Sequence, residues 1–268
     1  MGIKKLIAET IIVDNMFDME SEMMSIKESI IEHLILEGVD DPGILKCVFM
    51  AGGPGSGKSY VATELFDFPK GAISSVSYAT GLKLVNNDNS FEKQIKDAGY
   101  DIGKLADYAK DPETWSKVMD IRNKAKGTTK RMQDNYIGGR LGQVIDGTGK
   151  DTEKLKKQAR ELKSIGYDVA MIFVNTDLAT AQARNKARAR TLPADEVEKY
   201  WTTVQKNIGS FQTMFGKQKF TVVDNSEGKD YQKETTRAYR EITKFVNAEP
   251  DNAIAKKWIK SEKAKKTR

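Results

Sequence analysis

The stretch Ala51-Gly52-Gly53-Pro54-Gly55-Ser56-Gly57-Lys58-Ser59 determines how the rest of the chain is interpreted. It has the spacing Gly-x4-Gly-Lys-Ser, which is typical of a P-loop that surrounds phosphate oxygens with backbone N–H groups. An apolar run at residues 45–50 precedes it and predicts a buried strand, and residues 60–66 predict a helix. Strand, glycine loop and helix together predict a binding site for a nucleoside triphosphate.

The residues of this loop have predictable roles. Glycines allow the backbone to curl inward, and the helix that begins near Lys58 adds the positive end of its dipole. Lys58 is expected to reach the β- and γ-phosphates, and the Ser59 hydroxyl to bind Mg²⁺. The predicted cofactors are therefore ATP or GTP and Mg²⁺. The predicted nucleotide-binding residues of the loop are Gly53, Pro54, Gly55, Ser56, Gly57, Lys58, Ser59 and Tyr60.

Length and composition bound the kind of protein. The chain has 268 residues, a net charge of +6 and one cysteine, Cys47. This length suits one α/β domain with appendages, and one cysteine excludes an internal disulfide. No apolar run approaches a membrane span and no secretory signal is expected, so we expect a cytoplasmic protein without a membrane partner. The single histidine, His33, is not expected to be catalytic.

Residues 1–43 are predicted to form an N-terminal helical extension. Apolar residues recur at helical spacing from Met23 to Ile35, and Gly38 with Pro42 ends the pattern. This amphipathic helix is expected to pack on the domain or on a second copy of the chain.

Residues 44–248 alternate predicted strands with predicted helices. The strands are the apolar runs at residues 45–50, 82–86, 142–146, 169–174 and 220–224. Such runs predict a parallel sheet buried on both faces, and hence an α/β P-loop NTPase three-layer sandwich with five parallel strands. Ligands bind beyond the carboxyl ends of such strands, which selects the P-loop, Asp88, residues 146–149 and the region after Asn175.

Polar residues mark the predicted helix starts in this domain. Asp111 before Pro112, Asp151 and Asp177 are predicted N-caps. A further helix is predicted at residues 90–98, after the second strand.

Two aspartates at strand ends are candidates for chemistry. Asp88 is predicted to accept the proton of an attacking hydroxyl, with helix capping as the alternative, although Asn89 or Ser90 can also cap. Asp146 is predicted to hold Mg²⁺ through water or to orient a ligand, with Thr148 beside the substrate. An ordinary Asp-Gly turn is the alternative for Asp146.

The sequence also separates kinases from motors. Motor ATPases usually carry a second acidic residue beside the metal-side aspartate, whereas Gly147 follows Asp146 here. Instead, three arginines, Arg184, Arg188 and Arg190, precede a break at Leu192-Pro193. Arg184 and Arg188 are four residues apart and are predicted to share a helix face. An arginine-bearing lid at residues 184–194 would neutralise charge during phosphoryl transfer, whereas a solvated basic helix is the alternative.

These motifs resemble a group of P-loop kinases. Residues 53–59, Asn87-Asp88 and the arginines before Leu192-Pro193 resemble phage-type polynucleotide 5′-hydroxyl kinases. The segments Asp88-Asn89-Ser90-Phe91 and Ile145-Asp146-Gly147-Thr148 are also similar to zeta-toxin kinases, which phosphorylate the sugar of UDP-N-acetylglucosamine. The resemblance spans residues 45–226.

The resemblance implies roles for individual residues. Lys58 and Ser59 would bind phosphate and metal, Asp88 would be the general base, and Arg188 would bridge the transferred phosphoryl group. Arg184 or Arg190 would contact the nucleotide. The chain departs from polynucleotide kinases because Asn89-Ser90-Phe91-Glu92 contains no arginine after Asp88, and it lacks their Asp-x-Asp phosphatase signature.

The acceptor is expected to bind the segment at residues 100–140. Its basic part, residues 117–131, has cations between Trp115 and Tyr136, which suits a nucleic acid or a nucleotide. A solvated helix face explains the same cations. The predicted basic tail, residues 249–268, either tracks a phosphate backbone or is a solubilising end.

The sequence therefore predicts an ATP- or GTP-dependent phosphotransferase that acts on a hydroxyl of a nucleic-acid end or nucleotide-like molecule. One alternative is a zeta-toxin-like UDP-sugar kinase. The other is a nucleotide-binding switch or ATPase subunit with a conformational output.

Overall fold

A parallel β-sheet of five strands lies at the centre of the described structure. The strands are β1 (Lys46–Ala51), β2 (Lys83–Val85), β3 (Gln143–Asp146), β4 (Asp168–Asn175) and β5 (Phe220–Asp224). Their order across the sheet is β2-β3-β1-β4-β5, and every neighbouring pair is parallel. The predicted sheet is confirmed, and each strand end lies within one residue of its predicted position.

The computed structural model describes residues 38–41, 43–68, 76–77, 80–188 and 191–266. The predicted N-terminal helix, His33 and Arg190 lie outside the described residues. Residues from Pro42 onward form one unit, and this unit contains the sheet. Among the described residues, no helix is both long and apolar enough to span a membrane.

Helices cover both faces of the sheet. The described α-helices are α1 (Lys58–Phe66), α2 (Asn87–Asp97), α3 (Leu105–Tyr108), α4 (Pro112–Gly138), α5 (Thr152–Ser164), α6 (Leu178–Lys186), α7 (Ala194–Phe215), α8 (Tyr231–Asn247) and α9 (Ala253–Lys266). Because side chains alternate along a strand, Val48 and Met50 of β1 join the core below α1 and α8. Cys47 and Phe49 join the core below α5 and α7. The result is the predicted three-layer sandwich.

The predicted N-caps explain where most of these helices begin. The carboxylates of Asp111, Asp151 and Asp177 each accept a hydrogen bond from a backbone N–H in the first turn of α4, α5 and α6. Helix α2 differs from its prediction, because it begins three residues earlier and its N-cap is Asn86. Capping by Asn89 or Ser90 is therefore wrong.

Helices α2, α3 and α4 form a helical insertion between β2 and β3. Phe91 and Ile95 of α2 pack on Val118 and Ala125 of α4, which gives the insertion a small apolar core of its own. The insertion starts directly after β2, at the carboxyl edge of the sheet. It therefore stands beside the predicted ligand site.

The described part of the predicted basic tail is a helix of the domain. The Asp168 carboxylate accepts hydrogen bonds from the backbone N–H groups of Asp251 (2.8 Å) and Asn252 (3.2 Å), just before α9. Ala255 is buried, and Trp258 packs against the same core as β1. This contact lies at the amino edge of the sheet, because Asp168 is the first residue of β4.

Candidate active site

The P-loop follows β1, the central strand. The chain passes from β1 to β2 and β3 on one side of β1 and then crosses from β3 to β4 on the other side, and open α/β sheets bind ligands at such a point. Met50 of β1 is in register with Asp146 of β3. The register therefore brings the predicted metal aspartate beside the start of the P-loop.

The P-loop requires glycine at two positions. Gly55 and Gly57 have φ angles of 75° and 84°, in the left-handed region that favours glycine. A Cβ atom on Gly55 would collide with the backbone of Ala181 in α6, and one on Gly57 would collide with the side chain of Asn225. Gly57 is the N-cap of α1 and no side chain caps that helix, so its first N–H groups are available to an anion.

Asp146 lies between the P-loop and the end of β2. Its Oδ1 is 3.8 Å from the Lys58 Nζ, and its Oδ2 accepts a hydrogen bond of 3.0 Å from the Asn86 Nδ2. Burial raises the pKa of Asp146; the charge of Lys58 opposes this shift and the charge of Asp88 adds to it. The three charged groups predicted from the sequence are therefore close enough to interact.

The residues present suit a magnesium ion. Asp146 Oδ1 is buried without a hydrogen-bond partner, and the hydroxyl of the exposed Ser59 lies at the start of α1. Oxygen ligands of this kind are those that Mg²⁺ prefers, and the ion usually keeps several waters. Within the described part of the chain, no group of three or more His, Cys, Asp or Glu is placed to hold a metal. Phosphate oxygens and water would therefore supply the remaining ligands.

Asp88 is exposed in the first turn of α2 and is free of a capping role. Asn86 does the capping, because its Oδ1 accepts a hydrogen bond of 2.7 Å from the Asp88 backbone N–H. Asp88 is exposed, and its charge raises the pKa of the partly buried Asp146, so Asp88 lies at the outer edge of the same site.

The segment predicted to form a lid begins on α6, where Asn185 holds Leu192. Asn185 is buried, and its amide both donates to the Leu192 carbonyl oxygen (2.8 Å) and accepts from the Leu192 N–H (3.1 Å). Arg184 Nη1 is buried without a hydrogen-bond partner, 3.6 Å from where a Cβ on Gly57 would lie. Arg184 therefore lies beside the P-loop.

Arg188 does not share a helix face with Arg184, contrary to the prediction. Helix α6 ends at Lys186, and Arg188 is an exposed residue after that end. The helical spacing is broken because the chain leaves the helix to reach the Asn185–Leu192 contact. Arg188 thus lies in the segment after α6 that is predicted to form the lid.

Comparison with known proteins identifies the family of this P-loop domain. The family described as AAA domain matches residues 47–208, which is more than half of the chain. This chain belongs to that family. The match contains the P-loop, Asp88, Asp146 and the lid, and it ends within α7, so β5 and α8 lie beyond it.

Several solved structures align with this AAA-domain chain at low identity. A putative kinase from Chloroflexus aurantiacus j-10-fl is 11% identical, with 73% of this chain and 97% of that chain covered and a TM-score of 0.44. A structure of the PezAT toxin–antitoxin system of Streptococcus pneumoniae is 12% identical, covering 75% and 85%, with a TM-score of 0.44. A chain of an RNA repair complex is 17% identical, covering 62% of this chain but only 46% of its own length, with a TM-score of 0.41.

None of these similarities says what this AAA-domain chain binds. A comparison with curated proteins gives no match.

Two further residues contact the site from β5 and α8, and the sequence analysis did not select them. The Asn225 Nδ2 donates a hydrogen bond of 2.8 Å to the Ser56 carbonyl oxygen of the P-loop. Tyr231 stacks on Tyr60 with ring centroids 5.2 Å apart, and its buried hydroxyl has no hydrogen-bond partner in the described structure. Asn225 directly follows β5, so the strand-end rule would have found it; Tyr231 had no local signal.

Helix α7 supports the strand ends from the opposite face. Trp201 Nε1 donates to the Thr176 carbonyl oxygen (2.7 Å), and Gln205 Nε2 donates to Asn175 Oδ1 (2.7 Å). These contacts fix the segment between β4 and α6. The lid base therefore starts from a rigid position.

The basic segment at residues 117–131 lies on α4 and is partly neutralised. Lys117 pairs with Glu113 at 2.7 Å and Lys130 pairs with Asp134 at 3.1 Å. Arg122 lies over the Phe91 ring, 5.8 Å from its centroid. Arg131 also donates a hydrogen bond of 3.4 Å to the Thr128 hydroxyl. Four of the six cations on this segment are thus engaged by α4 or α2, which favours the solvated-face interpretation for those four.

Proposed function

We propose that the protein is an ATP- or GTP-dependent phosphotransferase that moves the γ-phosphoryl group to a hydroxyl. The observation that carries this proposal is a pair of aspartates with different surroundings beside one P-loop. Asp146 is partly buried next to Lys58, whereas Asp88 is exposed at the outer edge of the site, and Asn86 caps the helix in its place. Two carboxylates in unlike environments are suited to two unlike tasks.

The buried end of this site would bind the nucleotide. The P-loop N–H groups and Lys58 would hold the phosphates, and Arg184 would add positive charge next to Gly57. Ser59 and Asp146 would hold Mg²⁺, which supplies neutralisation of the phosphate charge when bound. Tyr60 and Tyr231 would form one wall of the nucleotide site.

The exposed end would bind the acceptor. Asp88 would accept the proton of the attacking hydroxyl and orient its oxygen. Arg188, on the lid, would approach the transferred group when the lid closes over it. The helical insertion borders this end, so we place acceptor choice there, with a nucleic-acid end or a nucleotide-like molecule as the preferred acceptor.

The family assignment favours one alternative from another class. Because the chain has an AAA domain, a nucleotide-driven switch or ATPase with a conformational output would use the same P-loop. In that case Asp88 would have no hydroxyl to activate, and the γ-phosphate would go to water.

One experiment separates these possibilities. The protein is incubated with γ-labelled ATP and Mg²⁺ and with separate pools of 5′-hydroxyl oligonucleotides, nucleosides and UDP-sugars, and with no acceptor. We expect label in the oligonucleotide or nucleoside pool. Asp88→Asn is expected to lower transfer about 10²–10⁴-fold, the usual contribution of a general base, with nearly unchanged nucleotide affinity.

Asp97→Asn is the matched control, because Asp97 is an exposed residue at the other end of α2. It removes the same charge from the same helix and should transfer normally. Normal transfer by Asp88→Asn would refute the role of Asp88 as base. Label found only in the UDP-sugar pool would favour the zeta-toxin-like alternative, and label found only as inorganic phosphate would favour the switch.

A further inference from the structure

Helix α9 carries many more positive than negative side chains. It contains six lysines and one glutamate. All six lysines are exposed, namely Lys256, Lys257, Lys260, Lys263, Lys265 and Lys266. Glu262 pairs with Lys265 at 2.6 Å, whereas Lys257 and Lys260 form no ion pair with any residue that the structure describes.

Two other surface helices of the domain pair some of their lysines with acids on the same helix. On α5, Lys156 pairs with Glu153 and Lys157 pairs with Glu161, and α4 shows the same arrangement. Like charges four residues apart on a helix, as at Lys256 and Lys260, cost a few tenths of a kcal/mol. Such pairs also occur on α4 (Arg122 and Lys126) and α5 (Lys156 and Arg160), but α9 has only one acidic residue for its six lysines. A partner that supplies negative charge would therefore relieve more repulsion on α9.

Helix α9, which carries these lysines, is packed against the core of the domain. Ala255 is buried, Trp258 and Ile259 pack on the core, and the Arg140 guanidinium lies 4.5 Å from the centroid of the Trp258 ring. Asp168 anchors the chain just before the helix. The backbone that carries the cations is therefore held in place before a ligand binds, so less conformational entropy is lost on binding.

The same packing decides which polyanion fits. A helix that lies on a membrane buries an apolar face among lipids. In α9 that face already packs against the protein's own core, apart from the exposed Ile254. A partner that needs only a row of cations, such as a phosphate backbone, fits better than a lipid surface.

This face is remote from the candidate active site. Helix α9 is anchored at Asp168, where β4 begins, whereas the P-loop lies at the opposite edge of the sheet. At about 3.3 Å per residue, the length of β4 separates the two edges by about 23 Å. A ligand on α9 therefore leaves the P-loop free.

We propose that α9 is a binding site for the phosphate backbone of a nucleic acid, separate from the site of phosphoryl transfer. Residues four apart on the helix are about 6 Å apart along its axis. Duplex DNA carries one negative charge per about 1.7 Å of its axis, so Lys256, Lys260 and their neighbours face several phosphates at once. Each neutralised phosphate releases counterions, and binding is independent of base sequence.

The test measures binding of the full chain to a fluorescein-labelled DNA duplex at a series of salt concentrations. Lys257→Gln/Lys260→Gln is compared with Lys156→Gln/Lys157→Gln, which changes the net charge equally but removes lysines that already have acidic partners. The slope of log K against log salt should fall by about 1.8 in the first variant, near 0.9 for each phosphate contact, and much less in the second. Saturating ATP should leave binding of the wild type unchanged.

Three results would overturn this proposal. Equal loss in both variants would mean that overall charge alone attracts DNA. Competition by ATP would place the DNA at the P-loop. Capture by phosphatidylserine vesicles with no binding of DNA would identify a membrane as the partner. None of these results bears on transfer to a small acceptor, so the kinase proposal is tested independently.

Discussion

A lysine–aspartate pair lies at each edge of the sheet, and the two pairs differ in how completely they are satisfied. At the amino edge the Lys46 Nζ is 3.1 Å from Asp168 Oδ2, and the side chains are 1% and 6% exposed. At the carboxyl edge the Lys58 Nζ is 3.8 Å from Asp146 Oδ1, and the side chains are 16% and 11% exposed. The same two residue types stand at both edges.

At the amino edge, both carboxylate oxygens of Asp168 accept hydrogen bonds. Asp168 accepts two backbone N–H groups in addition to Lys46, and the Lys46 Nζ lies 4.9 Å from the centroid of the Phe245 ring. Burial lowers the pKa of Lys46, and the charge of Asp168 opposes that shift. A buried pair of this kind costs much to break.

One bond at the carboxyl edge is left open. Asp146 Oδ1 has no hydrogen-bond partner among the described residues, and the ion pair with Lys58 is loose. Perturbed, incompletely paired charges are typical of sites that receive a ligand. We therefore infer that the pair of Lys46 and Asp168 stabilises the fold, whereas the pair of Lys58 and Asp146 is available to bind a ligand.

Asp168→Ala should have the largest effect on the fold. It leaves Lys46 buried without a counter-charge, so the free energy of unfolding should fall by about 3–5 kcal/mol in urea titrations. Asp107→Ala is the control, because it removes the exposed partner of Lys110 and should lower the free energy of unfolding far less. If Asp168→Ala lowered the free energy of unfolding no more than Asp107→Ala, the pair at the amino edge would not be important for stability, contrary to this prediction.

The double variant Lys46→Met/Asp168→Leu sharpens this contrast. It removes both charges together and should recover a large part of the loss, because apolar residues often replace a buried ion pair at little cost. Recovery should be incomplete, since Asp168 also accepts the N–H groups of Asp251 and Asn252.

Lys58→Met should have the converse effect. Phosphoryl transfer should fall about 10²–10³-fold, as expected when one preorganised electrostatic contact is lost. The free energy of unfolding should change by less than about 1 kcal/mol, because the pair is loose and partly exposed. Kinetics and urea titration of one preparation check both parts, and a large loss of stability would contradict the assignment.

Asp146→Asn should have the smallest effect on stability in the absence of ligand, and the size of this effect depends on pH. Because the folded-state pKa of Asp146 is raised, the folded protein binds this proton more tightly than the unfolded chain. Stability of the wild type therefore falls as pH rises from the ordinary aspartate pKa through the raised one. The variant lacks this loss, so without ligand its Tm should exceed that of the wild type increasingly across this window.

About 1 kcal/mol corresponds to roughly 2–4 °C in a domain of this size, which thermal unfolding by circular dichroism resolves. A Tm difference that does not vary with pH would contradict the raised pKa. Mg²⁺ with ATP should stabilise the wild type more than the variant, since the variant loses the proposed metal ligand.

Local signals made much of this protein predictable. The strands are continuous apolar runs, and aspartate caps such as Asp151 act within four residues, so sequence alone placed both. The P-loop was recognisable because its chemistry requires glycines at fixed spacing.

Long-range contacts were not predictable. Asn86 caps α2 because β2 ends there in an extended conformation, and Arg188 leaves α6 because Asn185 holds Leu192. The anchoring of α9 by Asp168 joins residues more than 80 positions apart. Such contacts depend on the completed fold, which no window of sequence contains.

The hydrogen bond from Asn225 to the P-loop has a consequence for synthesis of the chain. It joins residues 169 positions apart, so the loop at Ser56 is held on this side only after β5 has left the ribosome and joined the sheet. A nascent chain that ends at residue 208 would contain the whole family match and still lack this support. The nucleotide site is therefore among the last parts of the domain to be completed, although its motif is among the first to be made.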